Sequence, residues 1–568
     1  MILAAATTSL RLGTNWVDYL LIGLYFCFVL GIGLMARRAV SSSLDFFLSG
    51  RSLPAWVTGL AFISANLGAV EIIGMSANGA NYGIPTAHYF WVGAVPAMLF
   101  LGVVMMPFYY GSKVRSVPEF MRRRFGTGAH LFNALSFAVA QLLIAGINLY
   151  LLASIVEIIL GWKLWISLIV AAAIVLTYTT LGGLSAAIYN EVLQFFVIVA
   201  ALLPLTIVGL DKVGGYGGLK DKITASAAGP EQLSSWPATA LTGFTNPFWS
   251  VVGIVLGLGF VQSFGYWTTN FVEVQRVMAT KSISAAQRAP IIGAFPKMFV
   301  PFIVIFPGMI AAVLVREIAV PKSHGDPNTD YNNALLYLIR DLLPNGMLGL
   351  AIAGLLASFM AGMAANISAF NTVFSYDLWQ TYVKKDRPDH YYLNVGRWAT
   401  LAATLVAIGT ATFAASYTNI MDYLQTLFGF FNAPLFATFI LGMFWKRTTA
   451  TAGWIGLVCG TLAAVLVAIL SVDALGSAST GTISVLTGQG ASFAAAGAAF
   501  VVDFVVTVAV TMVTQPRKES ELRGLVYSLT PKEDFHDEHE GTLTWYQQPT
   551  KLAAIGLVLV VILNVLFW

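Results

Sequence analysis

Runs of roughly 20 apolar residues, the length that carries a helix across the hydrocarbon core of a bilayer, recur along nearly the whole chain. They lie near 16-36, 53-80, 86-110, 129-160, 164-182, 188-210, 247-275, 286-316, 331-375, 393-415, 418-444, 450-472, 489-513 and 550-568, about fourteen in all. A segment inside lipid must satisfy its own backbone polar groups, and these runs lack the alternation of barrel strands. The spacing therefore predicts an all-α membrane protein. With 57% of its 568 residues hydrophobic and 10% charged, the chain could not keep its apolar surface out of water as a soluble globule.

The first run is followed by Arg37 and Arg38 and has no basic region before it, so it reads as a retained span with its N-terminus outside. Lys113, Arg115, Arg122, Arg123, Arg124, Arg276, Lys281, Arg288, Lys384, Lys385, Arg387, Lys446, Arg447, Arg517, Lys518 and Arg523 then fall in inside loops. Lys212, Lys220, Lys222, Arg316 and Lys322 fall outside. This bias agrees with the positive-inside rule, and an even number of spans puts both termini outside in the cell membrane. The net charge of +4 reports this topology and no nucleic-acid partner. A loop over 514-549 is expected inside, and its His536-Asp537-Glu538-His539-Glu540 run lacks zinc-protease spacing and reads as a solvated acidic loop.

Two stretches point to transport. Ser64-Ala65-Asn66-Leu67-Gly68-Ala69-Val70-Glu71 in the second run, followed by Gly74, Gly79 and Gly83, and Gly257 to Trp267 in the seventh, with Asn270 beyond, are polar and glycine-rich. Corresponding interruptions in two halves of a transporter line its central site, where broken helices expose carbonyls to a cation and amides to a solute. The bland alternative is glycine at close helix contacts. Glu71 is a carboxylate about midway along an apolar span, a position that is expensive and by default functional. It could carry a proton, pair with a cationic solute, help hold a metal cation, or pair with Lys297. Lys297 could equally snorkel to the interface. Tyr89, Trp91, Tyr266 and Trp267 offer flat faces with polar edges for a sugar ring or a cationic head group, and His88 reads as a hydrogen-bonded structural histidine.

At these residues the chain resembles the sodium:solute symporter family, in its sodium/sugar cotransporter-like branch. The resemblance rests on Asp45 to Pro54, Ser64-Ala65-Asn66 with Gly74-Met75-Ser76, Val117 to Phe120, Leu181 to Ala186, Gln275-Arg276 and Leu441 to Thr449. It implies a LeuT-like core of about 14 transmembrane helices with a five-plus-five inverted repeat, 53-210 and 247-444, and peripheral helices 16-36, 450-472, 489-513 and 550-568. It implies a solute among Asn66, Glu71, Tyr89, Phe90, Gly93, Ser263, Tyr266, Trp267, Lys297 and Gln425, an inner gate at Tyr266, and outer-gate positions at Met75 and Met421. Phe90 stands where galactose transporters have a glutamate, Ser263 where they have an asparagine and Glu71 where they have a glutamine, so galactose or glucose does not carry over. For sodium the resemblance implies the carbonyls of Ser64, Leu67 and Ser358 and a hydroxyl pair, but the pair's positions are Ala361 and Gly362, which have no hydroxyl. The Ser64 hydroxyl, Glu71, Asn366 or water would have to fill that gap. Glu191 matches an acidic residue on the ion path.

The expected function is secondary active transport by alternating access, sodium-coupled symport of a small organic solute, with no cofactor besides the coupling ion. Proton-coupled or ion-independent transport through Glu71 is the alternative. A sensor would need a signalling domain for which the last run leaves no room, a channel a ring of filter residues, and an enzyme a convergent nucleophile and base.

Overall fold

The computed structural model describes residues 12–37, 48–112, 114, 116–226, 229–319, 331–414, 420–472, 474–475, 479–531, 533 and 544–568. The 536–540 run and Asp45 to Phe47 lie outside them. Among the described residues the only strand-like pairing is one bridge between Leu53 and Thr280. Among those residues eleven helices are long and apolar enough to cross a membrane, or twelve if the bent pair Ala55–Asn66 and Val70–Tyr82 counts as one span. The expected fifth and tenth runs are helical as well. Leu164–Thr177 is a shorter apolar helix at the start of the continuous Leu164–Val213, and Asp389–Ala414 opens on charged and aromatic residues.

Lipid-facing and core helices separate by burial. In Trp16–Met35, Ala450–Leu470, Gly488–Val513 and Pro549–Leu566 a third or less of the apolar window is buried, whereas 89% is buried in Met347–Val383. The outer helices present Leu462, Val501 and Val561 outward, an apolar surface that only lipid or another protein can cover. Trp16–Arg37 is nevertheless tied to the core: the Asp18 carboxylate accepts from the backbone N–H groups of Gly346 and Gly349 at 2.7 Å each, capping the orphan donors of Met347–Thr372. At the opposite face the Arg124 guanidinium donates to the carbonyls of Gly442, Thr448 and Trp445 at 2.8, 2.9 and 3.1 Å, closing the end of Ile420–Phe444. Arg124 and Arg276, expected in solvated inner loops, are both fully buried; each lost its hydration to a set of protein oxygens.

Interruptions in the second, seventh and eighth runs place backbone and side-chain groups in the bundle centre, and one in the ninth lies at its rim. The second run breaks where expected, at Leu67–Gly68, with a bend of 55° between its halves. Leu67 N–H still closes on Ile63 O, while Glu71 and Ile72 N–H turn back to Gly68 O, so the carbonyls from Ser64 onward lie past the end of the first half's ladder. In the seventh run the break is displaced from the predicted stretch. Gly253–Ser263 is a wide π-helical segment leading unbroken into Phe264–Thr269, and the chain turns only at Asn270, whose side chain accepts from Val272 N–H at 2.9 Å to start Phe271–Met278. The ninth run, expected as one span, divides at Leu343–Gly346, where Pro344 and a left-handed Gly346 (φ 90°) end Ala334–Leu342 before Met347–Thr372. In the eighth run Ile283–Lys297 ends just before Pro301 opens Pro301–Leu314, which leaves Lys297 at a helix end.

The Leu67–Gly68 break lies against Met347–Thr372 at a contact of two glycines. A Cβ on Gly362 would sit 3.2 Å from Gly68 Cα and 2.7 Å from Asn148 Oδ1. Gly362→Ala should therefore lower the unfolding temperature of the purified protein, a cost of about 1–3 kcal/mol for overpacking. Gly31→Ala, with open space around it, should leave the temperature unchanged; equal stability of both variants would show that the contact is not tight.

Candidate functional site

Between the breaks lies a cavity with about 840 Å³ of empty space, its opening to solvent included. Asn66, Glu71, Met75, Tyr89, Phe90, Ser263, Tyr266, Trp267, Lys297, Met421 and Gln425 all line it, brought from the second, third, seventh, eighth and eleventh runs. Asn366 and Asn148 also face it. Gly93 packs behind Ser263. Trp91, expected beside Tyr89, turns away and donates its indole N–H to Met298 O at 2.9 Å. His88 is a structural group, bonded through Nε2 to Ser235 O at 2.7 Å.

Lys297 does not snorkel. It is buried, and its ammonium bonds both the Glu71 carboxylate and Asn66 Oδ1. It also lies over the rings of Phe90 and Trp267, 5.0 and 5.3 Å from their centroids, so a cation–π contact adds to the ion pair. The position at which the resemblance led one to expect a glutamate thus offers Phe90 as a face to Lys297, and the balancing carboxylate comes from Glu71. A charge buried alone would be very costly, and pairing removes most of that cost.

The network continues toward the second break. Asn66 Nδ2 donates to the Tyr266 hydroxyl at 3.0 Å, and that hydroxyl donates to Glu273 Oε1 at 2.7 Å. The Tyr266 ring packs on Phe428, with centroids 4.6 Å apart, and Met421 packs its methyl against Gly74. Tyr89 bonds Gln489, which bonds Asp422, tying this wall to the peripheral Gly488–Val513.

The residues expected around an ion fall at the first break. A Cβ on Gly68 would meet Gly362 Cα at 3.2 Å, Asn148 Oδ1 at 3.3 Å and Ser358 O at 3.7 Å. Ser64 and Leu67 precede that point in sequence, while Ala361 is buried apolar core. Ser64 Oγ and Asn148 Oδ1 are among the buried oxygens that have no hydrogen-bond partner among the described residues. The Asn148 amide nitrogen is held by Ile144 O at 3.1 Å, which turns its oxygen away from its own helix. Glu191 lies outside the cavity lining and is held by Arg276 through two bonds, at 2.6 and 3.2 Å. Asn148, Glu273, Phe428 and the Arg276 pairing went unread in the sequence; one of three amides in the long 129-160 run, with Asn133 and Gln141, and a carboxylate in the seventh were the available signals.

The Sodium:solute symporter family profile matches residues 46–460. The sodium/glucose cotransporter of Vibrio parahaemolyticus is 29% identical over 79% of this chain and 85% of its own length. The sodium/myo-inositol cotransporter 2 of Rattus norvegicus is 30% identical over 78% and 69%. A solved Na+-coupled sialic acid symporter in a substrate-bound outward-open state superposes with a TM-score of 0.71 over 89% of this chain and 99% of that one, at 19% identity. A likeness at that identity establishes the fold, which is the all-α, LeuT-type transporter class.

Removing one partner of the central pair should cost far more than removing both charges. Lys297→Met should destabilise the purified protein by about 3–5 kcal/mol, and Lys297→Met with Glu71→Gln should recover most of the lost unfolding temperature. Additive losses in this double-mutant cycle would show that the two groups do not interact.

Proposed function

The chain belongs to the sodium:solute symporter family, and from that premise we propose that its central cavity carries a small polar solute of zero net charge across the cell membrane together with sodium. The observation that carries the reading is the Glu71–Lys297 pair standing in the wall of a cavity between two helix breaks. The paired wall has no net charge, so a net cation or anion gains nothing from it, while a solute bearing hydroxyl or amide groups can exchange bonds with Asn66, Glu71, Lys297, Ser263 and Gln425. Tyr89, Phe90, Tyr266 and Trp267 supply faces for the solute's C–H surface. The names of the curated relatives, which carry glucose and myo-inositol with sodium, support a polyhydroxylated solute. Tyr266 acts as the inner gate and Met75 with Met421 as the outer one. The halves 53-210 and 247-444 rock against each other, with both termini outside.

Sodium binds at the Leu67–Gly68 break, where the carbonyls of Ser64, Leu67 and Ser358 are joined by the unpartnered oxygens of Asn148 and Ser64. These take the place of the hydroxyls that Ala361 and Gly362 lack. Hard oxygen donors suit an alkali cation. The Lys297 ammonium already balances Glu71, which favours sodium over a proton carried by Glu71. Sodium drives uptake because it binds one gate arrangement better than the other.

Proteoliposomes given an inward sodium gradient should accumulate a neutral polyol or sugar from a panel that also holds amino acids and organic cations, and should not do so with potassium. Uptake that proceeds equally without sodium defeats the coupling, and accumulation of net-charged solutes alone defeats the solute class. Asn148→Ala should raise the sodium concentration for half-maximal uptake about tenfold, the equivalent of roughly 1.4 kcal/mol, while Asn148→Asp keeps it low. An unchanged sodium dependence in Asn148→Ala removes the amide from the site.

A further inference from the structure

Below the cavity the buried charges do not balance. Lys297 is matched by Glu71, and Arg276 by Glu191, while the Arg276 fork also donates to Val272 O at 2.6 Å. The third carboxylate of the group, Glu273, is fully buried. One of its oxygens receives the Tyr266 hydroxyl, and the other, Oε2, has no hydrogen-bond partner among the described residues. Three carboxylates therefore stand with two cations, and the surplus negative charge sits on the one carboxylate whose second oxygen is bare.

Among the described residues, the helices packed against it give Glu273 no ion pair. Phe271–Met278 packs against Ala55–Asn66, Phe264–Thr269, Ile283–Lys297 and Met347–Thr372. Ala55–Asn66 and Met347–Thr372 carry no titratable side chain. Phe264–Thr269 contributes Tyr266, and Ile283–Lys297 contributes Lys297 and Arg288, which bonds Ser284 O on its own helix at 3.2 Å. Glu191 comes from Leu164–Val213, behind Arg276. A lone carboxylate out of water costs several kcal/mol, and a bare, enclosed oxygen takes the smallest cation most easily.

We propose that Glu273 is a proton-binding site of this transporter, one that takes a proton from cavity water onto its carboxylate and returns it when the cavity empties. The step is a simple protonation: one O–H bond forms at Glu273, and hydronium reverts to water. The ionised carboxylate holds Tyr266 by a charge-assisted bond, and the neutral acid holds it less strongly. Protonation therefore loosens a residue in the cavity wall. That gating consequence rests on the transport reading, whereas the proton site stands without it.

Infrared difference spectra of the purified full-length protein, recorded as pH is raised, read the site directly. The expected result is a carboxylic-acid band that disappears with rising pH in the wild type and in Glu71→Gln, and is missing from Glu273→Gln. Tyr266→Phe should move the transition to higher pH by about one to two pH units, because the ionised form loses a charge-assisted donor. The same pH-dependent band in Glu273→Gln and wild type overturns the proposal, as does a Glu273 signal that follows sodium and not pH. If Glu273→Gln does not fold, an unshifted transition in Tyr266→Phe overturns it alone. Solute efflux from loaded vesicles tests the gating consequence: its pH dependence should flatten in Glu273→Gln, while a protein that moves no solute at all would fail the transport reading and leave the infrared result intact.

Discussion

A backbone carbonyl without a helical partner is tolerated inside a bilayer only where protein, water or an ion replaces the lost bond. The centre of this molecule depends on that constraint. At Leu67–Gly68 the helix ladder stops in mid-membrane, and the close approach of Gly68 and Gly362 gathers carbonyls and the Asn148 amide at one point. At Asn270 the same problem is solved by a side chain, which caps the helix that follows. The first solution leaves the oxygens of Asn148 and Ser64 uncommitted, and the proposed ion site rests on them.

The charges follow the same logic at longer range. Buried ions persist when each finds an opposite partner, and Glu71 with Lys297 and Glu191 with Arg276 do so across 226 and 85 positions of sequence. Asn66 and Tyr266 extend the first pair in one hydrogen-bonded line to Glu273, three residues before Arg276 of the second pair. A change at one end, whether solute, sodium or proton, thereby bears on the same few side chains.

Much of this was legible before any fold was seen. Apolar length alone gave the helices, polar and aromatic residues inside those lengths marked Asn66, Glu71, Tyr89, Tyr266, Trp267 and Lys297 of the cavity lining, and the family resemblance added Met75, Phe90, Ser263, Met421 and Gln425. The second break was misplaced because the glycines from Gly257 to Gly265 outweigh one asparagine as a sign of irregularity. They serve close packing in a π-helical segment, with Gly257 against Phe493 and Gly259 against Val92. The ion pairs were legible only as candidates, since a sequence shows that Lys297 is out of place but not what it touches. Asn148 was passed over because an amide in an apolar helix often only bonds back to its own turn, as its nitrogen does here.

Arg124 grips three carbonyls at the far end of Ile420–Phe444 from the short helix Val117–Phe125. Such a grip transmits torque: the short helix cannot pivot without carrying along the helix that bears Met421 and Gln425. The molecule thereby holds a crank between one rim and the wall of its cavity, so a load applied at that rim would be felt at the other end of a 25-residue helix.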